Sequence, residues 1–173
     1  MKTIFLKWPI IVVAIMIAFS SCKKDSDAPA VVTTTPTEYL TAGNWLTTAI
    51  TITPGVDIGN GVLLTDLFST LDACEKDDLL IFNSDGTVTA DEGVLKCDPN
   101  DPQSVNDGTW SISSDYQTLT MTPPADNTED PILTLTIVSL NDTQLVMSFD
   151  TEGFGIDKNG SAAYKYTVTL KKQ

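Results

Sequence analysis

Between Gly43 and the C-terminus, apolar residues recur at every second position in several short runs, the pattern of strands with one buried face. Tyr164, Tyr166, Val168 and Leu170 share a face, and Lys165, Thr167, Thr169 and Lys171 take the other. Leu145, Met147 and Phe149 alternate in the same way, as do Leu119 with Met121 and Trp110 with Ile112. Strands are expected near 44–53, 78–83, 86–91, 108–113, 117–122, 131–139, 144–150 and 162–171. Turn residues separate them: Asp85-Gly86, Ser114-Asp115, Asn141-Asp142 and Lys158-Asn159-Gly160. The topology implied is a meander of eight antiparallel strands.

One stretch breaks the period. Leu63, Leu64, Leu67, Phe68 and Leu71 fall at helical spacing within Asn60 to Asp72, which predicts a short amphipathic helix between the first two strands. In that position, Val62 to Leu71 is expected to cover one mouth of the fold.

The helix leads into Cys74, and Cys74 to Cys97 reads as a β-hairpin closed by a disulfide. Asp-Gly between apolar runs is a strong hairpin signal, because a two-residue type I′ turn needs positive φ at both central residues. If Asp85 and Gly86 form that turn, Ser84 faces Thr87 and, further out, Cys74 faces Cys97. A four-residue turn over Asn83 to Gly86 misses the cysteine pairing by two residues but keeps both on one face. Either register brings the sulfurs together.

Eight meandering strands of this length can close into an up-and-down barrel, which leaves no exposed edges. The competing all-β architecture is a β-sandwich of immunoglobulin type, which places its cysteines on opposed sheets with a tryptophan between them. Here both cysteines sit on one hairpin and Trp110 follows them, so the barrel is the expected fold.

The chain starts with a different kind of pattern. Lys2 and Lys7 precede an apolar run from Ile10 to Phe19 that is too short to span a bilayer, followed by Ser20, Ser21 and Cys22. Phe19-Ser20-Ser21-Cys22 resembles a lipobox. That resemblance implies a lipoprotein signal peptide over residues 1–21, cleavage before Cys22 and lipid attachment to its sulfur. An ordinary secretory signal cut near Ser20 is the alternative. Residues 22–42, polar and centred on Thr33-Thr34-Thr35-Pro36-Thr37, then read as a flexible tether, and 43–173 as the folded domain. Cysteine count agrees, because removing Cys22 leaves one pair, Cys74 and Cys97, in a compartment that permits oxidation.

Charge narrows the chemistry. The chain carries 10 Lys+Arg against 23 Asp+Glu, and without residues 1–21, which hold two of the lysines, the balance is −15. That excess of negative charge argues against nucleic acid and against polybasic contact with anionic lipid. All ten basic residues are lysines and there is no histidine, so Ser-His-Asp and Cys-His nucleophiles and His-bound metals are absent. No catalytic role, cofactor or metal is expected.

Gly43-Asn44-Trp45, Cys74-Glu75-Lys76-Asp77-Asp78, Phe82-Asn83-Ser84-Asp85-Gly86-Thr87, Lys96-Cys97-Asp98, Gly108-Thr109-Trp110-Ser111 and Leu119-Thr120-Met121 occur in that order. Together they resemble the lipocalin-like domain of Bacteroidetes-type lipoproteins, over residues 43–173. The resemblance implies a small calycin-type barrel with a cavity, a monomer held by its lipid at the outer membrane, on the cell surface or the periplasmic face. Lipocalins also carry an arginine on the last strand that packs over the Gly-x-Trp tryptophan; here Lys171 or Lys172 stands in that place. From the alternating strands and the helical insert, a barrel that binds a small apolar or amphipathic molecule is expected, and a role as an interaction module of an envelope complex is the alternative.

Three constellations qualify as candidate chemistry. Asp77 and Asp78 are adjacent on a strand and point to opposite faces, so they do not flank one bond and read as a solvated approach to the strand. Asp98-Pro99-Asn100-Asp101-Pro102 with Asn106 and Asp107 offers oxygens for calcium but matches no EF-hand spacing, and Asp157 to Ser161 matches one still less. Trp45, Phe82, Trp110, Met121, Met147, Phe149, Tyr164 and Tyr166 either fill the interior or line a pocket, and eight strands permit both.

Overall fold

A computed structural model describes residues 34–127, 130–152 and 163–173. The chain enters through helix α1 (Pro36–Thr41), and nine strands follow: β1 (Asn44–Asp57), β2 (Leu63–Asp66), β3 (Leu79–Phe82), β4 (Thr87–Asp91), β5 (Ser104–Ile112), β6 (Thr118–Thr122), β7 (Leu133–Leu140), β8 (Gln144–Glu152) and β9 (Ala163–Lys172). All neighbours pair antiparallel, from β3 to β9 in chain order. β1 pairs with β3 through Asn44–Leu46 and with β9 from Trp45 to Thr53. Those two pairings close eight strands into a barrel. The extra strand β2 lies on the far half of β1, with Val56 facing Leu64.

The alternation seen in the sequence is the inside and outside of this barrel. Its lower core holds Trp45, Phe82, Val88, Leu119, Leu135, Leu145, Met147 and Leu170. The upper cluster holds Ile52, Val56, Tyr164 and Tyr166, with Phe149 packed against both groups. Phe149 stacks on Tyr166 at a centroid distance of 5.0 Å, and the Phe82 and Trp110 rings meet edge to face at 5.6 Å.

One barrel end is closed by the segment expected to be the last part of the tether. Thr35 caps α1 by accepting from the Glu38 amide while the Glu38 carboxylate accepts from the Thr35 amide at 2.6 Å, and Pro36 occupies the first turn. Thr-Pro-x-Glu is a helix-start signature that the reading of a tether passed over. The helix carries Leu40 to zero exposure against the lower core. Its carbonyl accepts from the Trp45 indole Nε1 at 2.8 Å. The folded body therefore includes α1, which precedes Gly43. On the other side of Trp45, Lys172 is its register partner on β9, and a Cβ on Gly43 would meet the Lys172 Cγ and Cδ. Of the two lysines, Lys172 is the one paired with the tryptophan.

Two local expectations change. The helix expected over Asn60–Asp72 is strand β2 followed by a single 3-10 turn, Phe68–Thr70. Gly59, Asn60 and Gly61 all take positive φ, and the Ile58 amide donates to the Val62 carbonyl at 3.0 Å. This tight reversal lays Leu63–Asp66 back along β1, and the main-chain partners on β1 outweigh a helical spacing of only five residues. Leu67 packs on the upper cluster, while Leu63 is exposed.

The second change is the hairpin register. Phe82 faces Val88 and Leu79 faces Asp91, which matches neither expected register. Gly86 has φ 86° but Asp85 is not among the positive-φ residues, so the loop is Ser84-Asp85-Gly86, a type I turn closed by a glycine bulge. Asp85 is held by its carboxylate, which accepts from the Thr87 amide and hydroxyl at 3.0 and 2.7 Å.

Replacing Leu40 with Ala is expected to lower the unfolding free energy by about 2–5 kcal/mol, because it leaves a cavity beneath Trp45. Urea denaturation measures it. A change within about 0.5 kcal/mol, the usual effect of a surface substitution, would show that α1 is not part of the core.

Candidate functional site

The strand directions separate two unlike ends. At the closed end lie α1 and the short loops 83–86, 113–117 and 141–143. The Ser113–Gln117 and Asn141–Thr143 turns are each pinned by an acidic or amide side chain: Asp115 accepts from the Gln117 amide at 3.1 Å, and Asn141 from the Thr143 and Gln144 amides at 2.9 Å. At the open end lie the longer connections 58–62, 67–78, 92–103 and 123–132. The Lys158-Asn159-Gly160 turn lies outside the described residues.

Cys74 and Cys97 form a disulfide with their Cα atoms 5.2 Å apart. The bond sits where it was expected, but the hairpin ladder does not place it. Continued outward, the observed register puts the two cysteines on opposite faces, because each one-residue slip reverses every side chain. They meet because β3 begins at Leu79 and β4 ends at Asp91, leaving both cysteines in open-end loops. The carboxylate of Asp77 steers those loops together, accepting from the Val94 and Leu95 amides at 2.7 and 2.8 Å. Gly93 has φ 64°, and a Cβ there would strike the Asp77 carbonyl. Asp91 completes the loop by accepting from the Gly93 amide and from Gln103 Nε2, both at 3.0 Å.

Asp77 and Asp78 are therefore not a solvated approach to β3. Both are partly buried, and one carboxylate oxygen of each, Oδ1, is shielded from solvent without a hydrogen-bond partner. Burial raises the Asp78 pKa, reinforced by the charges of Glu92, Asp77, Glu75 and Asp91. The acidic loop considered for calcium is spent on its own backbone: Asp98 accepts from the Asn100 amide and side-chain amide at 2.8 and 2.9 Å. Among the described residues, no group of three or more Cys, Asp and Glu is placed to hold a metal. Asp157 to Ser161 and Cys22 lie outside the described residues.

Among the described residues, two pockets bear on the site. One, about 370 Å³, is lined by Thr51, Thr53, Thr65, Asp66 and Phe68 among others. Thr51 and Thr53 alternate with the inward Ile52, so this depression is on the outer face of β1. The other, about 220 Å³, is at the open end, bounded by Asp107, Met121, Pro123, Asp130, Pro131 and Leu133. Reading the sequence named Asp107 only as part of a calcium loop. The β-bulge that separates it from Asn106 leaves little trace beyond Gly108.

A family model described as a lipocalin-like domain matches residues 41–147. The chain belongs to the lipocalin-like family. Members of this family are generally binding proteins rather than enzymes. Among solved structures, bovine odorant-binding protein in complex with a selenium-containing odorant is 22% identical, with 82% of this chain and 74% of that one covered at a TM-score of 0.39. The same bovine protein with its natural ligand is 23% identical, covering 76% and 70% at 0.37. No curated protein matches the chain.

Two measurements check the lipocalin-like barrel's open end. Replacing both Cys74 and Cys97 with Ser is expected to cost about 2–4 kcal/mol, the usual contribution of a disulfide closing a loop of this size. The far-UV circular dichroism at room temperature should be unchanged; its loss would mean that the barrel depends on the disulfide to fold. Asp78 titrates above the ordinary carboxylate range, so the folded state takes up its proton more readily and stability falls as pH rises through that window. Asp78→Asn should therefore raise Tm at neutral pH, by an amount that solvent screening holds below about 1 kcal/mol. The gain should vanish once pH falls below the ordinary carboxylate pKa. A gain that persists in acid would contradict this cause.

Proposed function

We propose that this chain is a non-enzymatic, lipid-anchored protein of the cell envelope whose lipocalin-like barrel binds a small apolar or amphipathic molecule through its open end. The observation that carries the reading is the contrast between the ends. One is sealed by Leu40, Trp45 and helix α1. The other is ringed by long loops above an aromatic and aliphatic cluster of Ile52, Val56, Tyr164 and Tyr166. Pockets that take small ligands commonly occupy the mouths of β-barrels and combine apolar walls with a few polar groups. The similar bovine protein is solved with odorants, and a small apolar cargo is carried over here as a proposal.

Anchoring rests on the sequence alone. Basic residues, a short apolar run and Phe19-Ser20-Ser21-Cys22 support lipid attachment at Cys22, and hence an outer-membrane lipoprotein that acts as a monomer.

A second reading is supported by a different observation. Ile58, Val62, Leu63, Val94, Leu95 and Ile132 are exposed apolar residues, all near the open end. Such a rim also suits docking onto a protein of an envelope complex.

Titration with N-phenyl-1-naphthylamine, a neutral apolar fluorophore, tests the barrel reading. Saturable enhancement that is weakened by Tyr166→Ala is expected, and no saturable binding would leave the docking reading. For the anchor, Cys22→Ala should move the protein from the membrane to the soluble fraction; an unchanged distribution would rule out lipid attachment there.

A further inference from the structure

Asp107 occupies its position through a deliberate break in the sheet. Val88 pairs with Gly108 and Thr89 with Asn106, so Asp107 has no partner in the ladder between β4 and β5. A bulge of this kind re-aims a side chain. Gly108 makes it possible: its φ is 104°, and a Cβ would strike the Thr122 carbonyl of the neighbouring strand. The Asn106 side chain fixes the bend by accepting from the Gly108 amide at 3.1 Å.

The re-aimed carboxyl lines the pocket of about 220 Å³ at the open end, together with Asp130. Met121, Leu133, Pro123 and Pro131 supply apolar walls. The Asn127 amide orients Asp130 by donating to its Oδ2 at 2.6 Å. Both acids are exposed at the rim of the pocket, and the Asp107 pKa is raised, first by partial desolvation and then by the charge of Asp130. Two carboxyl groups at the rim of an apolar-walled cavity are a candidate binding site.

We propose that this pocket receives the ammonium group of a small aliphatic amine, with the amine's chain lying on Met121, Leu133, Pro123 and Pro131. An ammonium offers three donors and a full positive charge to the two carboxylates. A hard divalent cation fits less well, because calcium takes six to eight oxygens and the walls are apolar. The chain's net charge of −13 also concentrates cations around it. This names a ligand class for the barrel mouth and rests on the ligand-binding reading above.

Hexylamine and 1-hexanol, titrated into the purified domain by isothermal calorimetry at neutral pH, share a chain and differ in charge. Hexylamine should bind at least about tenfold more tightly, a preference worth about 1.4 kcal/mol. Asp107→Asn and Asp130→Asn should each remove most of that preference, whereas the exposed Asp126→Asn should not, with thermal melts checking that every variant is folded. If the two probes bind alike, or if Asp107→Asn binds hexylamine as the parent does, the amine site is overturned while saturable fluorophore binding keeps the barrel reading. If neither hexylamine nor the fluorophore binds, both fall.

Discussion

Strand β1 has two edges and three partners, and the barrel exists because it divides them. Along one edge it pairs with β9 for most of its length. The other edge serves β3 for only Asn44 to Leu46 and then β2 from Thr51 to Asp57. The β1–β3 seam is thus the shortest pairing in the ring, and without it the meander is an open sheet with two unprotected edges. Trp45 stands on that seam, with Leu80 beside it on β3 and Lys172 on β9. Burying a whole indole there, with its N–H satisfied by Leu40, adds packing where main-chain bonds are few. Helix α1 is therefore part of the closure rather than the end of a tether.

The same arrangement makes the two ends different. Main-chain pairing and α1 leave little room at one end. At the other, β1 leans away to accept β2, and the connections lengthen. Those loops are rich in acid, yet much of it is structural: Asp77, Asp91 and Asp98 each accept from backbone amides of the loops they order. Among the described loops, Lys76 is engaged with the Leu71 carbonyl at 2.5 Å and Lys96 with the Asp101 carbonyl at 2.6 Å. The disulfide ties 67–78 to 92–103 beside these contacts, so the loops on one side of the mouth are covalently joined. Asp107 and Asp130 lie on another side, exposed at the rim of a cavity.

Much of this was legible in the sequence. All eight barrel strands were placed from apolar runs and turn residues, several of them by period-2 alternation, of which Tyr164 to Leu170 is the clearest case. The disulfide was also legible, but by counting cysteines rather than by the hairpin ladder, because one bulged glycine in the turn changes the face of every residue beyond it. The stretch 60–72 misled because five leucine-type residues at helical spacing fit a strand and a turn equally well once Gly59 and Gly61 reverse the chain. Leu40 and the Asp107 pocket were missed for opposite reasons. The capping signature around Pro36 was present but lay in Thr-rich sequence, whereas the Asp107 bulge depends on strand pairing that no local pattern carries.

The central claim is that the barrel is sealed at Trp45 and takes its ligand at the other end. Amide chemical-shift mapping on the labelled domain, with the neutral fluorophore added, tests it most directly. The account predicts perturbations concentrated at Val56, Tyr166 and the 92–103 and 123–127 loops, with the Trp45 indole and Leu40 amide unmoved. Perturbations centred on Leu40 and Trp45, or on Thr51, Thr65 and Phe68 outside β1, would contradict it.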